Sequence, residues 1–134
     1  MIYLAKKINS RNKGKRGELE LSHILNRYGF DTRRGQQYCG ANGDADVIGV
    51  PYLHIECKRV ENLNLTKALQ QAIDDSKDEE YPAVFHRKNG EEWEVTLSLE
   101  DFLCIYSGFL RALHVNKDGT IMGVDGNGPI RGNG

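Results

Sequence analysis

Charge placed inside apolar segments constrains this chain more than any other feature. Ala45-Asp46-Val47-Ile48-Gly49 and Leu53-His54-Ile55-Glu56-Cys57-Lys58-Arg59 flank Val50-Pro51-Tyr52, in which Pro51 fixes one backbone dihedral. The pattern predicts two strands joined by a tight turn. Strand side chains alternate between faces, so Glu56 and Lys58 share one side while Ile55 and Cys57 share the other, apolar side. Charges within such strands cost stability unless something compensates them. The ordinary compensation is a salt-bridged surface strand. The chemical one is a divalent metal with an attacking water, for which Asp46, Glu56 and Lys58 are a minimal set.

Around this hairpin the chain alternates helix and strand signals. Leu21, Ile24, Leu25 and Tyr28 recur at helical spacing, and Gly29 is a stop signal, which predicts a first helix over 14–28. A strand is expected over Phe30–Arg34, then a polar, glycine-rich loop from Gly35 to Gly43. Asn64 or Thr66 caps a second helix running to about Lys77, with Leu65, Leu69, Ala72 and Ile73 as its apolar stripe. Asp74, Asp75, Asp78, Glu79 and Glu80 read as its solvated acidic exit. Ala83–Arg87 and Glu92–Thr96 form a second hairpin through Asn89-Gly90. Ser98, with Asp101 three residues later, opens a third helix through Phe102, Leu103, Ile105, Tyr106 and Leu110. A loose, glycine-rich tail is expected after Val115.

A length of 134 residues supports one domain with a sizeable core, here read as 1–115 with a tail at 116–134. The formal net charge is −1, yet Lys6, Lys7, Arg11, Lys13, Lys15 and Arg16 all precede the first acid, Glu18. Such a block is often a solvated arm, but beside a metal-site signature it suits phosphate. Cys39, Cys57 and Cys104 have no paired spacing, and no apolar run reaches membrane-spanning length. A reducing, cytoplasmic setting is therefore expected, in a bacterium or a phage-infected host. Cys57 and Cys104 read as buried small hydrophobes, Cys39 as an exposed loop thiol, and the scattered histidines argue against structural zinc.

The order of elements, together with Lys13-Gly14-Lys15-Arg16-Gly17-Glu18, Tyr28-Gly29-Phe30, Gly43-Asp44-Ala45-Asp46-Val47-Ile48 and Ile55-Glu56-Cys57-Lys58, resembles the PD-(D/E)XK nucleases. Within them it is most similar to archaeal-type Holliday junction resolvases and related phage-encoded nucleases. The resemblance spans roughly 13–102; Ala45 stands where proline is frequent, a position that shapes the turn and does not ligate. It implies an α/β, restriction-endonuclease-like domain with a mixed central β-sheet flanked by α-helices. It further implies that Asp46, Glu56 and the Cys57 carbonyl hold Mg²⁺, with Mn²⁺ as the other candidate, that Glu18 adds a carboxylate, and that Lys58 steadies the attacking water. Asp44 ranks below Asp46 as a ligand, and Gln70 or Gln71 matches a glutamine placed near the metal water in the superfamily.

The activity implied is metal-dependent endonucleolytic hydrolysis of DNA, on branched or duplex substrates, by a homodimer with no membrane association. Lys13, Lys15, Arg16, Arg33, Arg34 and Arg59, with Arg11, are the residues expected on DNA phosphates. The alternatives are a less structure-selective endonuclease or nickase, and a DNA-binding module of the same fold without catalysis.

Overall fold

Two stops and one close approach set the framework. In a computed structural model of the chain, described over residues 10–36 and 45–121, the first helix, α1, covers Ser10–Arg27. It begins four residues ahead of the expected start at Gly14, so Lys13 lies on helix and not on an arm, alongside Lys15 and Arg16, which were expected there. Met1–Asn9, the greater part of the expected arm, lie outside the described residues. Its end is closed by Gly29 N–H to the Asn26 carbonyl at 3.1 Å and Phe30 N–H to the Leu25 carbonyl at 3.3 Å, the paired bonds that satisfy terminal carbonyls. Ser22 and Asn26 then fasten the chain beyond it, through a Ser22–Thr32 hydroxyl pair at 2.8 Å and Thr32 N–H to Asn26 Oδ1 at 2.7 Å.

The following elements are β1 (Arg33–Arg34), β2 (Val47–Ile48), β3 (Leu53–Arg59), α2 (Leu65–Asp75), β4 (Tyr81–Arg87), β5 (Glu94–Thr96) and α3 (Leu99–Ala112). They form a mixed five-stranded sheet in the order β1-β2-β3-β4-β5. Only β3 and β4 run parallel, joined through α2; every other neighbouring pair is antiparallel. The expected strands over Phe30–Arg34 and Ala45–Gly49 shorten to two residues each, and Cys39 and Asp44 lie outside the described residues.

The chain divides into two compact units, Met1–Leu97 and Ser98–Gly134. In the first, Leu21 of α1 packs on Val47, Ile55, Cys57, Ala83 and Phe85, while Ala68 and Ala72 of α2 pack on Val84. These clusters follow strand alternation and lie on opposite faces of the sheet. Gly17 lets α1 close on β3: a Cβ there would lie 3.1 Å from Arg59 Cβ and 3.8 Å from Cys57 Sγ. Asn64 is the α2 cap, its Oδ1 accepting from Lys67 N–H at 3.1 Å, and Ser98 caps α3 by accepting from Asp101 N–H at 3.1 Å.

In the second unit α3 is followed by a turn closed by the Val115–Ile121 bridge; residues 122–134, most of the expected tail, lie outside the described residues. No residue of α3 is buried, and Phe102, Tyr106 and Phe109 form an exposed aromatic row with neighbouring ring centroids 5.8 and 6.1 Å apart. Cys104 is therefore exposed, contrary to the expectation of a buried small hydrophobe, because nothing described within this unit covers its helix. Cys57 is buried as expected.

Among the described residues, no helix is long and apolar enough to cross a membrane.

Candidate active site

Asp46 arrives just before β2 and is held by backbone on both sides. Its carbonyl accepts from Gly35 N–H at 2.9 Å, and its own N–H donates to the Ile55 carbonyl at 2.9 Å. As the β2 backbone ends, the carboxylate takes over the ladder: Asp46 Oδ2 accepts from Cys57 N–H at 2.9 Å. One residue along β3, Glu56 points to the opposite face from Cys57, and its carboxyl is hydrogen-bonded to that of Asp46. Both acids are buried, at 6 % and 4 % exposure.

Two buried carboxyls in contact cannot both ionise cheaply, and the protein divides the proton between them unequally. Burial, then the Glu56 charge, pushes Asp46 up to about 7 despite the Cys57 N–H that favours its ionised form. Glu56 also pays for burial, but hydrogen bonds from His54 and Asp46 and the charges of His54 and Lys58 outweigh it and hold Glu56 below the usual carboxylate range. Asp46 thus keeps the proton and Glu56 the charge.

His54, two residues before Glu56 and on the same strand face, was not singled out in the sequence. Its Nε2 lies 3.3 Å from Glu56 Oε1, and its Nδ1 lies 3.8 Å from Glu80 Oε1. Burial pulls the imidazole down, but the hydrogen bond and charge of Glu56, then the charges of Glu80 and Asp75, leave it above the ordinary histidine value. Glu80 also accepts from Lys77 N–H at 2.9 Å, so the acidic exit of α2 is not wholly a solvated helix end. His54, Asp75 and Glu80 line a cleft of about 620 Å³ together with Ala45 and Tyr52. The strand period was the available signal for His54.

The remaining expected site residues separate into those that face this pair and those engaged elsewhere. Lys58 is half-buried and close enough for its ammonium to lower Glu56. Glu18 contributes to raising Asp46, but its Oε2 is held by Arg34 Nε at 2.6 Å. Cys57 places its thiol on the α1 face, where burial and the surrounding acids raise its pKa strongly and make it inert. Among the described residues, no group of three or more His, Cys, Asp or Glu is gathered as a ready metal cage. Gln70 donates to Asp74 Oδ1 at 2.9 Å on the exposed side of α2, and Gln71 is exposed.

The expected phosphate-binding residues also divide. Lys15, Arg16 and Arg33 are exposed and Lys13 is half-buried, whereas Arg34 is tied to Glu18 and Arg59 lies 3.5 Å from Glu20. Glu20, missed in the sequence, accepts from Arg87 at 2.8 and 3.0 Å and from Trp93 Nε1 at 3.0 Å, bracing α1 against β4 and the chain leading into β5. Along the same side of α1, Arg16, His23, Arg27 and Arg59 line a groove of about 680 Å³. Comparison with protein-family models, with curated proteins and with solved structures finds no match to this chain.

Proposed function

We propose that the chain is a metal-dependent DNA endonuclease of the PD-(D/E)XK kind, with a restriction-endonuclease-like arrangement of its mixed sheet, acting on branched DNA as a homodimer. The observation that carries this reading is the Asp46–Glu56 pair: two buried, hydrogen-bonded carboxyls that together retain a proton near neutral pH. Such a pair would exchange its shared proton for a divalent cation, and its hard carboxylate oxygens suit Mg²⁺ or Mn²⁺. Asp46 and Glu56, with the Cys57 carbonyl, are the residues that would hold it. When bound, the ion supplies an activated water and offsets charge on the scissile phosphate.

The chain's own groups do the rest. Asp46 would give up its proton to bind the ion, Glu56 is already ionised, and Lys58, close enough to lower Glu56, would stabilise negative charge developing on phosphate oxygens. Lys15, Arg16 and Arg33, together with the α1 groove, offer cations to the DNA backbone without a base-reading helix, which favours recognition of shape.

A second reading, a DNA-binding module without catalysis, is favoured by one observation: Glu18, the third expected carboxylate, is engaged by Arg34. Cleavage of labelled four-way junction, nicked duplex, linear duplex and single strands with Mg²⁺ or Mn²⁺ separates the readings. Paired cuts near the crossover, absent in Glu56→Ala, are expected. Cuts on every substrate would leave a general endonuclease, and tight binding with no cuts would leave the binding module.

A further inference from the structure

The strand that carries Glu56 also carries the residue that aims it. We infer that His54 is a positioning residue, holding the Glu56 carboxylate in its ligating orientation, and that Glu80 in turn sets the His54 ring. This deepens the proposed function, since it concerns the same metal-binding pair.

Geometry carries the inference. Residues 54 and 56 project from the same face of β3, and His54 Nε2 lies 3.3 Å from Glu56 Oε1. Glu56 therefore has one side directed to His54 and is also bonded to Asp46, so its carboxyl plane is fixed by two partners in different directions. The second ring nitrogen faces Glu80 at 3.8 Å, from the segment joining α2 to β4. His54 is 3 % exposed, so water does not compete for either nitrogen, whereas Glu80 is 24 % exposed and opens onto the cleft. A buried histidine between two carboxylates is an expensive arrangement, and apolar packing would serve a purely structural position on β3 better. Hydrogen bonds behind a ligating carboxylate usually matter to metal affinity by tenfold or more.

The test is Mn²⁺ binding to the full chain, followed by electron paramagnetic resonance without DNA, in wild type, His54→Gln and His54→Asn. A glutamine amide extends to about where Nε2 stands, whereas an asparagine amide stops near Nδ1. Both replacements are polar and neither is larger than histidine. The expected result is Mn²⁺ affinity within about threefold of wild type for His54→Gln and a loss of about tenfold or more for His54→Asn. Glu80→Gln, at a partly exposed position, is expected to weaken binding about threefold without unfolding the chain.

Equal Mn²⁺ affinity in both His54 variants, at temperatures where each is folded, would overturn the inference and leave His54 a packing residue. Absence of Mn²⁺ binding to the wild type would overturn it as well. If wild type binds Mn²⁺ with the expected His54 dependence yet cleaves none of the DNA substrates, the positioning role stands and the nuclease reading alone fails.

Discussion

At the scale of single residues, the proton on Asp46 has a measurable consequence. Its pKa is about 7 in the folded chain, against the ordinary carboxylate value of 3.8. Between these values the folded state keeps a proton on Asp46 that the unfolded state has released, so the contribution of Asp46 to stability is full at low pH and is lost as pH rises through about 7, opposite in sign to that of Glu56, whose lowered value favours stability at higher pH. The raised His54 value acts with the same sign as that of Asp46. Asp46→Asn keeps an acceptor for Cys57 N–H but cannot ionise, and is expected to melt higher than wild type at pH 8 without divalent metal. The gap should close on acidification toward pH 4. Melting curves that run parallel across this range would show that the pair holds no such proton.

Asp46, Glu56 and Lys58 were legible because charge inside an apolar alternation is costly and conspicuous. His54 shares that alternation but reads as an ordinary strand residue until its ring is seen between Glu56 and Glu80. The engagement of Glu18 by Arg34 joins residues sixteen positions apart on different elements, which spacing along one element does not encode.

At the scale of elements, the turn before β3 decides whether Asp46 meets Glu56 at all. Gly49 has φ +113°, and a Cβ there would sit 2.1 Å from the Asp31 carbonyl oxygen. Gly49→Ala is therefore expected to cost about 2–3 kcal/mol in chemical denaturation, through strain and the forced separation of β2 from the chain entering β1. An unchanged midpoint would contradict this account of the hairpin.

β3 spans its expected residues, Leu53–Arg59, because its alternation is uninterrupted, and the caps Asn64 and Ser98 act as their side chains suggest. The start of α1 was placed four residues late because the apolar spacing that marks this helix begins only at Leu21, and Ser10–Lys13 adds no apolar residue to it, so the first turn has no periodic signal. Each glycine costs a helix about 1 kcal/mol, but Gly17 is what permits the approach to Cys57 and Arg59. That gain comes from tertiary packing and has no local sequence signature.

At the scale of the whole molecule, a formal net charge of −1 gives DNA no general attraction, so binding depends on where the cations lie. Lys15 and Arg16 are exposed on α1, and replacing both with alanine is expected to weaken DNA binding and reduce the magnitude of the log affinity against log salt slope by about 2. A slope unchanged in the double variant would place the DNA elsewhere. The mixed α/β class was legible from the order of signals, whereas the parallel β3–β4 pairing through α2 emerges only from tertiary pairing. That pairing sets Glu56 beside Val84 in the middle of the sheet, where a carboxylate is hardest to solvate.

The buried Asp46–Glu56 pair is the proposed metal site for cutting DNA. Its most direct test is the rate of Mg²⁺-dependent cleavage of a labelled four-way junction by wild type and by Glu56→Ala, each checked for folding and for junction binding. Paired cuts near the crossover by wild type, falling below detection in a folded variant that still binds the junction, are the expected result; equal cleavage by the two proteins, or none by wild type with either Mg²⁺ or Mn²⁺, would contradict it.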